Sequence, residues 1–279
     1  MKRYVFAVLS AFALSFPAIL LSSGLAAEPV RDPNVLFIGT SLTYYNDGVD
    51  KIMRGLAASA NPATKGEIAS HTVPSVTLAW QWDRGEAVEK IRGGEWDFVV
   101  LQTGEGSEVW KRNEYIESVR KFDAEIRKVG ARTVLYMPWE RVTGWGHIAV
   151  EDYAPTYESL AAELGARVAP VGMAWARVAR ERPDLNLYHR DHIHPNDKGT
   201  YLTACVFYAT IYGQSPVGLS FRTADLRPDP DKASPFYKPV AENLRRMVFM
   251  SDEDVEFMQR VAWETVQDYQ AQHPIAPSQ

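Results

Sequence analysis

A single cysteine, Cys205, is all the thiol chemistry in 279 residues, so no intrachain disulfide can brace the fold. Its neighbours Ala204, Val206 and Phe207 are apolar, which makes it a core residue rather than a nucleophile. Positive charge is scarce as well: 30 Lys and Arg stand against 35 Asp and Glu, a net charge of −5. That balance leaves no basic footprint for nucleic acid. Internal repeats are absent. With 46% hydrophobic and 23% charged residues, the composition excludes disorder over the whole length and predicts one sizeable core. A long apolar run occurs only at the start. Lys2-Arg3, an apolar stretch from Tyr4 to Leu21 and the small residues Gly24 to Ala27 follow the order of a secretory signal peptide, cleaved after Ala26 or Ala27. No cysteine stands at that point to carry a lipid. The prediction is a periplasmic or secreted protein with no stable membrane insertion once 1–27 is removed, and loss of Lys2 and Arg3 takes its net charge to −7. The alternative is a retained anchor, since the run is almost long enough to span a bilayer.

The rest of the chain alternates strand and helix signals. Val35 to Ile38, between Asn34 and Gly39, is a run of large apolar residues, as in a strand buried on both faces. Further strands are predicted over 67–73, 96–102, 133–137 and 167–171, and helices over 83–92, 111–129, 152–164 and 173–180. The segment 138–145 reads as one long loop. This rhythm predicts an α/β fold, a five-stranded parallel sheet between helical layers. Thr200 to Tyr212 is apolar around almost its whole circumference and must be a buried helix, closed by Gly213. Residues 214–250 carry five prolines and read as an extended surface segment. Ser251 then caps a last amphipathic helix striped by Val255, Met258, Ala262, Val266 and Tyr269. The domain division is therefore a leader (1–27), one α/β domain (28–213), and a proline-rich segment plus helix packed on it (214–279).

Ser41 follows the first strand at once, after Gly39, and is placed near a helix N-terminus. Open α/β sheets bind ligands at that edge, and free N–H groups there can stabilise an oxyanion. Taken alone, Gly-Thr-Ser reads as a helix cap before it reads as a nucleophile, and only the downstream loop reverses that order. Far downstream stands Tyr188-His-Arg-Asp-His-Ile-His-Pro195. A neutral imidazole can take a proton from a serine hydroxyl, while a carboxylate orients the ring and stabilises the imidazolium. Asp191 and His194 meet that need if their loop lies across from Ser41. The same loop offers a metal alternative, His189, His192, His194 and Asp191 as zinc ligands. Against it, such spacings converge poorly and no His-Glu-x-x-His helix accompanies them. Trp80, Trp82, Trp110, Trp139 and Trp145 fall in or beside loops at the carboxyl edge; they are candidates for a substrate platform, with Trp80 and Trp139 foremost, or for core packing. Glu105 and Glu140 at strand ends read as solvated loop acids.

Gly-x-Ser after the first strand with Asp-x-x-His-Pro near the domain's end resembles the SGNH (GDSL-like) hydrolases, over roughly Asn34 to Gly213. The wording Phe37-Ile-Gly-Thr-Ser-Leu-Thr-Tyr-Tyr-Asn46 and Ala204 to Gly213 looks like a bacterial subgroup whose members mostly lack assigned substrates. The resemblance implies a flavodoxin-like three-layer sandwich, with Ser41 as nucleophile, His194 as general base and Asp191 as its orienter. It also implies an oxyanion hole built from the Ser41 N–H, a glycine after the second strand and an asparagine after the third. Here the second block is Val73-Pro-Ser-Val76, and Pro74 has no N–H, so Ser75 is the expected donor. The third block has Gln102-Thr-Gly104, so the Gln102 amide is the expected substitute for asparagine. The function so implied is hydrolysis of a carboxylic ester, an O-acetyl group on a carbohydrate being one such substrate, through an acyl-enzyme that needs no cofactor and no metal. The expected partner is a small-molecule or polysaccharide ester. A non-catalytic glycan-binding protein on the same fold is the alternative.

Overall fold

Alternation of side chains along the apolar strands of one sheet builds two cores, one on each face. The computed structural model describes residues 32–104, 106–144, 146–223 and 250–274. The predicted leader, Glu105, Trp145 and most of the proline-rich segment lie outside the described residues.

Strand β1 (Val35–Gly39) is wholly buried and lies inside the sheet, one strand in from its edge. It pairs in parallel with β2 (Ile68–Thr72) on one side and β3 (Phe98–Leu101) on the other. β4 (Arg132–Tyr136) extends the sheet beyond β3. Two further strands, β5 (Arg141–Thr143) and β6 (Gly146–Ile148), form a separate antiparallel hairpin. β7 (Arg167–Ala169) closes the main sheet, whose order is β2-β1-β3-β4-β7. Every pairing in that sheet is parallel, the flavodoxin-like arrangement with the order reversing beside β1.

The helices, in chain order, are α1 (Ser41–Tyr44), α2 (Val49–Ser59), α3 (Leu78–Arg84), α4 (Glu86–Arg92), α5 (Ser107–Trp110), α6 (Arg112–Lys128), α7 (Val150–Leu164), α8 (Val171–Glu181), α9 (Asp197–Tyr212) and α10 (Asp252–Gln272). Val35 and Phe37 join Phe98, Val100, Val134 and Tyr136 in a core closed by α2, α8, α9 and α10. Leu36 and Ile38 point the other way and join Val99, Leu101, Leu135 and Met137 under α3, α4, α6 and α7. Period-two alternation thus makes one run of apolar residues serve both layers. Helix α9 is buried along nearly its whole length, and burial pushes the Cys205 thiol in it far up, which keeps it unreactive. On α10, Val255, Met258, Ala262 and Val266 enter the core beside α9, and Gln259 Nε2 donates to Tyr201 Oη at 2.9 Å. Among the described residues, no helix is long and apolar enough to cross a membrane.

The sequence pattern missed the β5–β6 hairpin because three-residue strands are too short for alternation to register. The buried ion pair between Arg141 and Glu108 and the Thr143 Oγ1 hydrogen bond to the Gly146 carbonyl hold it instead. The single helix expected over 83–92 is two, parted by Gly85 in the left-handed region at φ 79°.

Candidate active site

The carboxyl edge of the sheet gathers the predicted residues. Ser41 is the first residue of α1, directly after the β1 exit residue Thr40, which is extended at φ −131° and ψ −155°. A first-turn N–H has no partner within its helix, so the Ser41 N–H is available to a ligand. Gly39 must be glycine: a β-carbon there would collide with Thr43 Oγ1 and lie 3.2 Å from Gln102 Oε1.

The second partner comes from the loop between α8 and α9. The His189 N–H donates to the His194 carbonyl at 2.9 Å and the Asn196 N–H to the Leu187 carbonyl at 2.8 Å, closing the loop on itself. Inside it, Asp191 Oδ1 accepts the N–H groups of Ile193 at 3.0 Å and His194 at 2.9 Å. His192 turns the chain between them with φ 58°. Asp191 Oδ2 lies 2.8 Å from His194 Nδ1, and His194 Nε2 lies 2.8 Å from Ser41 Oγ. Partial burial alone would raise the Asp191 carboxyl. The N–H groups of His194 and Ile193, with the imidazoles of His194 and His189, outweigh it and hold the group well below the usual carboxylate range. An ionised carboxylate only accepts, so Nδ1 carries the proton and Nε2 presents its lone pair to the Ser41 hydroxyl. That tautomer is the one a general base requires.

A cavity of about 250 Å³ opens at this serine, lined by Thr40, Ser41, Ser75, Gly104, Arg141 and His194 among others. Ser75 stands in its wall with φ 54°, a left-handed conformation that residues with a side chain rarely adopt away from special sites. Gly104 replaces the expected glutamine in the wall. Its N–H donates to the Val76 carbonyl at 3.0 Å, and a β-carbon would strike that same oxygen. Thr143 and Gly144 of the hairpin complete one side. Burial alone would lower the Arg141 guanidinium, but Glu108 beside it reverses that and holds it charged. A roomier cavity of about 330 Å³, lined by Glu140, Trp175, Asn186 and Tyr188 among others, contains neither Ser41 nor His194.

Two expectations are corrected. Gln102 is only 1% exposed and does not line the cavity. Its Oε1 accepts from Thr40 N at 2.7 Å, Thr40 Oγ1 at 2.9 Å and Thr43 Oγ1 at 3.2 Å, and its Nε2 donates to the Thr103 carbonyl. The side chain that leaves β3 therefore ties down the nucleophile's turn rather than facing an oxyanion. Gln102→Leu is expected to cost about 2–3 kcal/mol of stability by stranding buried donors, read as a lowered midpoint in urea denaturation, with kcat falling alongside. Trp139 is the other correction. It is fully buried, stacked on Trp175 at 4.1 Å, and its Nε1 donates to the Ile193 carbonyl at 3.0 Å. It supports the histidine loop from beneath and touches no substrate. Trp80 is 43% exposed with Arg84 over its ring, and it lies outside the cavity lining. The sequence reading gave no role to Gly104, Arg141 or the hairpin, because their place depends on which loops the sheet brings together; a glycine two residues past a strand was the one available hint.

No family model matches the chain, and no curated protein matches it either. Solved structures do. A protein from Slackia heliotrinireducens described as a candidate SGNH hydrolase is 25% identical, with a TM-score of 0.54 over 64% of this chain and 98% of its own. A DUF4886 family protein from Bacteroides uniformis is 14% identical, with a TM-score of 0.59 over 88% of this chain and 97% of its own. An acetyl-xylooligosaccharide esterase from Geobacillus is 18% identical, with a TM-score of 0.53 over 64% of this chain and 94% of its own. The five-stranded parallel sheet with helices on both faces is the SGNH-hydrolase fold.

Proposed function

We propose that this chain, on its SGNH-hydrolase fold, is an exported serine esterase that removes a short acyl group, acetyl, from a carbohydrate. The observation that carries the reading is the relay from Asp191 through His194 to Ser41, with 2.8 Å at each step. Ser41 Oγ attacks the ester carbonyl while its proton passes to His194 Nε2, and Asp191 steadies the imidazolium. The carbonyl oxygen, now negative, lies toward the Ser41 N–H and Ser75. His194 returns the proton to the departing alkoxide, and a water molecule repeats the sequence to release the acid.

Size supports a short acyl group. A cavity of about 250 Å³ is below the roughly 300–1,000 Å³ that encloses a drug-sized ligand, so the acyl group enters and the alcohol stays outside. Trp80 and Trp110 are 43% and 47% exposed on helices that follow β2 and β3; indole faces there suit a sugar ring. Similarity to acetyl xylan esterases points the same way. The leader supports export.

The test compares p-nitrophenyl acetate, butyrate and octanoate and measures acetate released from acetylated xylooligosaccharides. kcat/KM is expected to fall at least about tenfold from acetate to octanoate, because each misplaced methylene forfeits favourable packing. A preference for octanoate would sink the short-acyl reading. Absence of acetate from the sugar would sink the carbohydrate reading while leaving an esterase.

A further inference from the structure

We propose that Tyr45 is a positioning residue for His194, its ring face fixing the imidazole plane and stabilising the imidazolium formed when Ser41 gives up its proton. The inference rests on the esterase reading and concerns how that site is built. The Tyr45 and His194 rings are stacked with centroids 4.1 Å apart and planes 9° from parallel. Such a near-parallel face leaves the ring edge free, so Nδ1 can meet Asp191 and Nε2 can meet Ser41 at once.

Local backbone explains why the plate lies there. The Tyr45 N–H closes α1 on the Ser41 carbonyl at 3.1 Å. Asn46, Asp47 and Gly48 then follow with φ of 50°, 69° and 94°, a run of left-handed residues that turns the chain sharply out of α1. Asn46 Nδ2 donates to the Pro195 carbonyl and to Thr200 Oγ1, both at 2.9 Å. The six residues from Ser41 to Asn46 thus supply the nucleophile, the plate for the base, and a tether on the residue after it. Trp139 holds the residue before it through the Ile193 carbonyl.

The remaining groups around His194 leave the cationic form a place for this help. Asp191 meets one ring edge and Ser41 the other. His189 meets Asp191 at 3.1 Å and sets its ring edgewise to Tyr45 at 5.8 Å. Arg141, in the cavity wall, is paired with Glu108. The face of an aromatic ring attracts a cation far more than a neutral imidazole. Since the charge exists only after proton transfer, the interaction is stronger in the transition state than in the ground state and enters kcat rather than KM.

The test uses the whole protein with p-nitrophenyl acetate. Tyr45→Phe keeps the face and is expected to stay within about twofold of wild type. Tyr45→Leu removes the face and is expected to lower kcat about tenfold with KM within twofold. If Tyr45→Leu loses its cooperative melt, Tyr45→Met, unbranched and without a π face, takes its place with the same expectation. Unchanged kcat in the folded apolar variant overturns the proposal. So does a loss carried mainly by KM, or a loss in Tyr45→Phe as large as in the apolar variant. These outcomes are distinguishable from failure of the esterase reading, which shows as a wild type that does not hydrolyse the ester or does so without Ser41.

Discussion

Replacing Ser41 with alanine is expected to lower kcat for p-nitrophenyl acetate by about 10⁴-fold or more, to near the background rate. The variant loses the hydroxyl oxygen placed to form the acyl-enzyme, while the backbone N–H at position 41, Ser75 and the cavity remain. KM should therefore change little and the melting temperature should hold, because the Ser41 hydroxyl's bond is to His194 at 2.8 Å, whereas the turn is braced by Gln102 through Thr40 and Thr43. A fluorophosphonate probe should add one phosphonyl group to wild type, on the tryptic peptide containing Ser41, and none to the variant. Activity in Ser41→Ala within tenfold of wild type would remove Ser41 as nucleophile. A wild type that hydrolyses no ester and takes no probe, yet is retarded by polysaccharide in a gel, would support the glycan-binding alternative.

Asp191→Asn has the next largest expected effect, a loss in kcat of about 10³–10⁴-fold, the scale set by the corresponding change in a serine protease triad. The asparagine can keep an oxygen toward the Ile193 and His194 N–H groups, so the loop survives. Its amide nitrogen then faces His194 Nδ1 and favours the tautomer with the proton on Nε2, which can no longer accept from Ser41. Asp191→Ala should lose the loop as well, visible as a lower melting temperature than Asp191→Asn. The carboxyl's depressed pKa fixes the sign of its pH effect. Its contribution to stability is present above the unfolded-state value of about 3.9 and is lost as pH falls through the lower folded-state value. Loss of activity between pH 8 and 5 therefore does not arise from Asp191. The check is circular dichroism against pH: wild type should hold its fold to more acid pH than Asp191→Asn, and identical acid midpoints would show that Asp191 carries no such linkage.

Much of this architecture was legible in the residues because it depends on local pattern. Val35 to Ile38 is too uniformly apolar to face water on either side, so it had to be an interior strand. Thr200 to Tyr212 had no polar face and had to be buried. Asn196 has the short polar side chain that suits a helix start, and its Oδ1 caps that helix by accepting the Gly199 N–H at 3.0 Å. Asp191 and His194 could be paired because three residues on one loop keep them in reach.

The chain's order of residues by itself determined the layers, the interior strand and the triad candidates, since each follows from hydrophobic period or from chemistry carried within a few positions. Tertiary structure alone decided what long-range approach requires. Gln102 had the right amide for an oxyanion, but the β1–β3 pairing carries it beneath Thr40, where an unpaired backbone N–H and two hydroxyls claim its oxygen. Trp139 left a strand end as an exposed platform would, yet Trp175 and the Ile193 carbonyl draw it into the core. Tyr45 has no role in the sequence pattern, and only the approach of the α8–α9 loop lays His194 flat against it. In each case the residue type permits several partners, and the energy of burying a polar or aromatic group goes to whichever partner the sheet order brings within contact.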